Sequence, residues 1–328
     1  MNDNRSLFSF VLGLSVLLAL TVIVLGAYTR LSDAGLGCPD WPGCYGHLSV
    51  PDKVTDATFQ RPLETAKAWK EMIHRYVAGT LGILILVILI FVARKQTRYR
   101  QTIVVPLLLL GTVIFQALLG MWTVTLLLSP IIVTAHLLGG LTTLSLLWWL
   151  YLNQKPIHNE LALNVTSGLK LMAFIGLLLV IAQIFLGGWT SSNYAALACG
   201  TDFPQCSGRW WPAMDFSNAF DIGHEQGTNY EYGVLDSPAR TAIQVAHRIG
   251  ALILFTYFTI FSWILIKKGN GLRFLGAVLI LVLLLQVSLG IMNVMLGLPL
   301  LIAVSHNLGA ALLLLTVIAI NHRVFKAS

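Results

Sequence analysis

Charged residues are scarce in this chain. Only 11% of its 328 residues are charged, whereas 56% are hydrophobic and the mean hydropathy is +0.78. Soluble globular domains carry about 25% charged residues. The shortage excludes an ordinary soluble domain and predicts an integral membrane protein.

Acidic residues are fewer than basic ones, and their distribution is uneven. The amino terminus and the segments near 94–101, 153–170, 267–273 and 321–328 carry 12 of the 21 Lys and Arg but only 2 of the 14 Asp and Glu. Because Lys and Arg collect in cytoplasmic segments, this side and both termini are predicted to be cytoplasmic. The net charge of +7 is therefore a topology signal and gives no indication of nucleic-acid binding.

Long uncharged runs mark the membrane spans. The first run is too long for a signal-peptide core, and no small-residue cleavage site follows it, so a retained helix is predicted. Two runs are too long for one span, and turn residues at Ser129-Pro130 and Gly297-Leu298-Pro299 divide them. The runs are 7–29, 76–93, 101–154, 171–201, 249–266 and 274–321. They predict eight transmembrane helices in an all-α fold.

Cysteine is also rare, and all of it falls in the two long non-cytoplasmic loops, near 30–71 and 190–243. The four residues are Cys38, Cys44, Cys199 and Cys206. An even number, paired at short spacing in an oxidising compartment, predicts two local disulfides. A structural role for these disulfides is favoured, and a redox role remains the alternative.

The two halves of the chain resemble each other. Leu25–Thr29 matches Leu186–Thr190 at an offset of 161, and Gln116, Gly120 and His136 match residues 170 positions later. Each half holds four predicted helices, so both insert with the same polarity. We expect two pseudo-symmetric four-helix bundles, residues 1–155 and 156–328, joined by a cytoplasmic linker near 153–168.

Four histidines occupy repeat-matched positions in the apolar segments. They form the pairs His74 with His136 and His247 with His306. Two imidazoles at similar depth on different helices of one bundle are typical of a heme iron with two axial ligands. Interhelical hydrogen bonding is the simpler reading of a membrane histidine, and zinc is a weaker one because the ligands are too few.

Residues around the pairs suggest supporting roles. Arg75 and Arg248 follow two of the histidines and are candidates to bind heme propionates, because guanidinium groups recognise carboxylates. Five glycines would make room for a macrocycle: Gly79, Gly139, Gly140, Gly250 and Gly309. The remaining histidines are interpreted as solvated surface residues: His47, His158, His224 and His322.

One position differs between the halves. Glu71 precedes His74 by three residues, on the same helical face, and Gln244 stands in the matching place before His247. Glutamine takes no proton, so the half with the glutamate is predicted to perform the chemistry, with Glu71 as its catalytic residue. A plain helix-terminus charge is the alternative for Glu71 taken alone.

The combined pattern resembles the heme A synthase family of bacteria and mitochondria, over nearly the whole chain. The resemblance rests on Thr29-Arg30-Leu31, the run Gly35–Cys44, Glu71–Arg75, and the histidines His136, His247 and His306. It implies an oxidoreductase that converts the C8 methyl of heme O to a formyl group by successive hydroxylations. The product is heme A for cytochrome oxidase.

The same resemblance assigns the two histidine pairs. It implies that His247 and His306 hold a resident heme b, and that His74 and His136 receive heme O with Glu71 at the reacting edge. It also implicates the Cys38 and Cys44 pair in redox chemistry. The expected partners are heme O, membrane lipid, a heme O synthase and an electron donor, and the oligomeric state, including a homo-oligomer, stays open.

Three other functions fit parts of the pattern. A di-heme b electron carrier linked to quinone is the main alternative, and the difference between Glu71 and Gln244 argues against it. A transporter would place its polar residues at the membrane midplane. A quinone-coupled thiol oxidase would use the four cysteines and no heme.

Overall fold

The computed structural model describes residues 3–54, 56, 58–94, 102–154, 165–222, 227–269 and 271–326. Within these ranges the chain forms nine α-helices and no strand. The helices are α1 (Asp3–Leu31), α2 (Thr65–Arg94), α3 (Val104–Thr125), α4 (Pro130–Gln154), α5 (Ser167–Ser192), α6 (Phe216–Ala219), α7 (Ser237–Lys268), α8 (Leu272–Met295) and α9 (Leu300–Lys326).

In the part of the chain that is described, eight helices are long and apolar enough to cross a membrane, which confirms the predicted all-α membrane fold. The remaining helix, α6, lies in the connection between α5 and α7. We call residues 32–64, between α1 and α2, the first loop, and residues 193–236, between α5 and α7, the second loop.

Both predicted turns inside the long apolar runs are present. After α3, Leu127 and Leu128 take positive φ angles of 48° and 63°, and α4 begins at Pro130. After α8, Gly297 and Leu298 take φ angles of 69° and 63°. The same two-residue turn therefore joins the last two helices of each half, as a repeat requires.

The start of α2 differs from the sequence prediction. The first long non-cytoplasmic loop was expected to extend to about residue 71, but α2 begins at Thr65. The carbonyl of Glu64 accepts hydrogen bonds from the amides of Lys67 and Ala68 at 2.9 Å, so the polar residues before Glu71 already form helical turns. His74 consequently lies about two and a half turns into α2.

Helix contacts are consistent with two bundles. In the first half α1 packs against α2, α2 against α3, α3 against α4, and α4 against α1. In the second half α5, α7, α8 and α9 close a ring in the same order. The halves meet where α4 contacts α5 and α9 and where α1 contacts α9. The predicted boundary at 155/156 and most of the linker near 153–168 lie outside the described residues.

Hydrogen bonds cross between the halves in the shared apolar core. Trp148 Nε1 donates to the carbonyl of Leu315 at 3.0 Å. His322 was interpreted as a solvated tail residue, which is wrong, because α9 continues to Lys326 and leaves His322 only 6% exposed. Its Nε2 lies 2.9 Å from Asn153 Oδ1. His47 is exposed as expected, while His158 and His224 lie outside the described residues.

Candidate functional site

The histidines of the first half meet across the bundle. His74 on α2 and His136 on α4 have ring centroids 6.4 Å apart and ring planes at 82°. A metal–imidazole bond is about 2 Å long, so two such bonds on one line, plus the two ring radii, give a centroid separation of roughly 6 Å. The pair therefore stands at the separation that one shared metal would require.

The second pair lies on the matching helices of its own bundle. His247 is on α7 and His306 is on α9, which occupy the places in the second ring that α2 and α4 occupy in the first. All four imidazoles belong to half-buried residues. The Nδ1 atoms of His74, His136 and His306 are buried and have no hydrogen-bond partner. Buried imidazole nitrogens without partners fit a role as ligands better than a role as interhelical hydrogen-bond partners.

A glycine on the neighbouring helix faces each imidazole. A Cβ atom on any of these glycines would lie 3.0–3.4 Å from the Cε1 atom of the ring. The pairs are Gly26 with His74, Gly120 with His136, Gly187 with His247 and Gly290 with His306. A larger residue would therefore press on the imidazole, so these glycines let the rings lie close to the adjacent helix.

The donor set favours a heme over a bare metal ion. Among the described residues, no group of three or more His, Cys, Asp or Glu side chains could hold a metal ion. Each half instead offers two imidazoles, one on the second and one on the fourth membrane helix of its bundle. A porphyrin supplies the other four iron ligands itself, so two imidazoles complete the iron of a heme but leave a zinc ion short of its usual four ligands.

Glu71 connects α2 to the first loop. Its side chain is buried, with 5% of the residue exposed. Oε2 accepts a hydrogen bond from the backbone N–H of Cys38 at 2.9 Å, and Oε1 lies 2.5 Å from the guanidinium of Arg75. The carboxylate is therefore fixed between the loop and the helix, one turn before His74.

The matching glutamine has a different environment. Gln244 is equally buried, at 4% exposed, but its Oε1 has no hydrogen-bond partner. An amide cannot form the ion pair that Glu71 makes with Arg75. The difference between the halves that the sequence suggested is thus also a difference in contacts.

Both arginines hold the loop above their histidine. Arg75 donates to the carbonyls of Asp40 at 3.0 Å and Gly43 at 2.5 Å. Arg248 donates to the carbonyls of Asp202 at 2.9 Å and Gln205 at 2.8 Å. In each half the arginine therefore ties the disulfide turn to the helix that carries the histidine. Propionate binding by the same side chains stays a prediction.

The two predicted disulfides are present. Cys38 is bonded to Cys44 at 2.02 Å, and Cys199 is bonded to Cys206 at 1.99 Å. Each second cysteine also pairs through its backbone with a residue three positions on, which is His47 in the first loop. Both disulfide turns are therefore built in the same way, and each is held by the arginine below it.

Comparison with known proteins places the chain in a family. A model of the COX15-CtaA family, described as a cytochrome oxidase assembly protein, matches residues 9–318. The chain belongs to this family. A heme A synthase of Shewanella oneidensis is 46% identical over 326 residues, covering 98% of this chain and 97% of that protein. A heme A synthase of Halalkalibacterium halodurans is 28% identical over 303 residues, covering 90% and 89%.

Glutamine side chains next to the histidines are a feature of this COX15-CtaA member that sequence reasoning missed. The amides of Gln116, Gln183 and Gln286 lie against Gly139, Gly250 and Gly309. These three glycines were expected to make room for a macrocycle, but they accommodate the glutamines. The missed signal was the spacing His-x-x-Gly, which occurs at 136–139, 247–250 and 306–309.

Proposed function

We propose that this protein is a heme A synthase, an oxidoreductase that converts the C8 methyl of heme O to the formyl group of heme A. Membership of the COX15-CtaA family and the near full-length similarity to proteins named heme A synthase support an enzyme of heme A biosynthesis. One observation carries the proposal. The ring centroids of His74 and His136 lie 6.4 Å apart, and the fixed carboxylate of Glu71 stands one helical turn before His74.

The two halves have different tasks in this proposal. The N-terminal half, 1–155, receives heme O between His74 and His136. The C-terminal half, 156–328, holds a resident heme b through His247 and His306. The first half has Glu71 where the second has Gln244. This difference supports the division, because only the half that performs the reaction needs a group that can take up and release a proton.

Heme b would supply electron transfer, since its iron changes oxidation state without leaving its ligands. The chain's own residues position the reaction. Glu71 accepts hydrogen bonds from Cys38 and Arg75, so its carboxylate keeps one orientation, one helical turn before His74. A fixed negative charge stabilises positive charge that develops at the reacting carbon, and its free oxygen lone pairs can take up a proton.

The arginines and the membrane orientation complete the proposal. Arg75 and Arg248 bind heme propionates with donor capacity left after the loop contacts; Nε of Arg248 is buried and unpartnered. The protein lies in the bacterial inner membrane with both termini in the cytoplasm and both disulfide loops outside. The distribution of Lys and Arg between the two sides supports this orientation.

A direct test expresses the protein with a heme O synthase in cells that make no heme A, and separates the extracted hemes by chromatography. We expect heme A with the wild type, and heme O with retained heme b in Glu71→Gln. The reciprocal variant, Gln244→Glu, is the matched control and should still make heme A. Normal heme A formation by Glu71→Gln would overturn the assigned site, and its absence with wild type would overturn the function.

A further inference from the structure

Three of the four histidines share an arrangement that the fourth lacks. In each, a glutamine on a neighbouring helix reaches the histidine, and a glycine three residues after the histidine gives the amide room. The sets are Gln116, His136 and Gly139; Gln183, His247 and Gly250; and Gln286, His306 and Gly309. We call each set a glutamine clamp.

The hydrogen bonds of the clamps are direct. Gln116 Nε2 donates to the backbone carbonyl of His136 at 2.8 Å. Gln183 Nε2 donates to the carbonyl of His247 at 3.0 Å and lies 3.1 Å from its ring Nδ1. In the third clamp, Gln286 Nε2 lies 3.3 Å from the ring Nε2 of His306. The amides thus hold the backbone at His136, the backbone and the ring at His247, and the ring at His306.

His74 has neither part of the clamp. The offset of 161 that relates α1 to α5 places Val22 where the second half has Gln183. Val77 stands three residues after His74, where the other three histidines are followed by glycine. The Nδ1 of His74 has no partner, as in His136 and His306, but here no glutamine holds the histidine either. A valine side chain offers no hydrogen bond, so His74 is held by packing.

Groups that hydrogen-bond a metal-binding histidine fix its ring orientation, and their loss typically lowers metal affinity about 10- to 100-fold. A clamped imidazole is therefore suited to permanent ligation. An imidazole without a clamp can turn away from the iron more easily. Placed in one half only, such a ligand makes that half the one from which a heme can leave.

We propose that the glutamine clamps make His136, His247 and His306 permanent ligands, and that His74 is the ligand that releases heme during substrate entry and product exit. This rests on the proposed function, because only a heme substrate has to leave. Resident heme b keeps two clamped ligands, His247 and His306. Heme O has one clamped ligand, His136, and one ligand without a clamp, His74. Val22 and Val77 are positioning residues that act through His74.

Heme transfer to an excess of apomyoglobin tests the proposal without measuring turnover. Wild-type protein loaded with heme O should lose heme in two phases, a fast one of heme O and a slow one of heme b. The variant Val22→Gln/Val77→Gly installs a clamp at His74 and should slow the fast phase about 10-fold or more. The control Val22→Leu/Val77→Ala changes size without adding an amide, and its fast phase should stay near wild type.

The reverse substitution provides a second measurement if the installed clamp fails to fold. Gln183→Val should accelerate the release of heme b about 10-fold or more and shift its midpoint potential. When Nε2 of His247 binds iron, its Nδ1 carries the proton. Gln183→Glu then places a carboxylate oxygen where the side chain of Gln183 meets Nδ1, and it should restore slow release. A change in thermal stability alone, with release rate and potential unchanged, would mean that Gln183 is merely structural, and would overturn the proposal.

The outcomes also separate this inference from the function. Equal release rates for both hemes in wild type, unaltered by either substitution, would overturn the role of the clamps while heme A formation continued. Failure of wild type to bind heme O or to make heme A would instead overturn the proposed function.

Discussion

Oε2 of Glu71 accepts a hydrogen bond from the backbone N–H of Cys38 at 2.9 Å. This contact joins the residue that opens the first disulfide turn to the helix that carries His74. Glu71 also pairs with Arg75, which in turn donates to carbonyls of the same loop. The carboxylate, the arginine and the disulfide turn therefore form one unit next to the first histidine pair.

Truncation of Glu71 should show how much the stability of the first loop depends on this side chain. Glu71→Ala leaves Arg75 and the Cys38 N–H buried without their partner, and breaking a buried ion pair costs about 3–5 kcal/mol. Glu71→Gln keeps an acceptor for Cys38 and should cost less. Thermal unfolding in detergent measures both. Equal stability of the alanine variant and wild type would show that the loop does not depend on Glu71.

The two disulfides should differ in what their removal does to product formation. Each closes a short loop, with sequence separations of 6 and 7, so either pair of serine substitutions should cost about 2 kcal/mol. Replacing Cys38 and Cys44 also disturbs the contact to Glu71 and should reduce heme A per folded molecule. Replacing Cys199 and Cys206 should leave the amount of heme A per folded molecule near wild type. An equal reduction in both variants would show that the contact between Cys38 and Glu71 does not distinguish the two disulfides.

Arg30 joins the two halves near the disulfide loops. Its guanidinium donates to the hydroxyl of Tyr194 at 2.8 Å and to the carbonyl of Ser191 at 2.7 Å. Because a hydrogen bond to a charged group contributes about 1.5–3 kcal/mol, Arg30→Met should lower the unfolding temperature in detergent measurably. Exposed Arg273 provides the control, and Arg273→Met should leave the temperature unchanged. Equal effects of both would argue that Arg30 does not hold the halves together.

A second link between the halves connects the two loops. Arg61 lies 2.8 Å from both carboxylate oxygens of Glu231, whose side chain is 8% exposed. The next residue back, Tyr230, donates its N–H to the carbonyl of Leu127 at 3.0 Å. A double-mutant cycle with Arg61→Met and Glu231→Gln should give a coupling energy of about 1 kcal/mol or more, because the pair is partly buried. If the effects of the two substitutions on stability are additive, Arg61 and Glu231 do not interact.

Much of the fold followed from local sequence signals. The turns before Pro130 and at Gly297 lay inside apolar runs too long for one span, and the structure breaks the helices there. The start of α2 was missed because the charged residues before Glu71 were taken as loop. Helices can project beyond the apolar region, and hydropathy does not report where such a helix begins.

The site was predicted less completely than the fold. The repeat pointed to the four histidines, and the structure brings His74 and His136 together. Contacts between helices distant in sequence, such as Gln183 with His247, are set by packing that a single sequence does not display. The burial of His322 was missed for the same reason, since its Nε2 lies against Asn153 in the other half.

Heme extraction and chromatography of the purified protein tests the division into a substrate half and a cofactor half. The protein should be isolated from cells that make heme O and from cells that do not. We expect one heme b per chain in both preparations, with heme O or heme A only in the first, and loss of heme b in His247→Ala or His306→Ala. Two heme b per chain, regardless of heme O supply, would contradict it and favour a di-heme electron carrier.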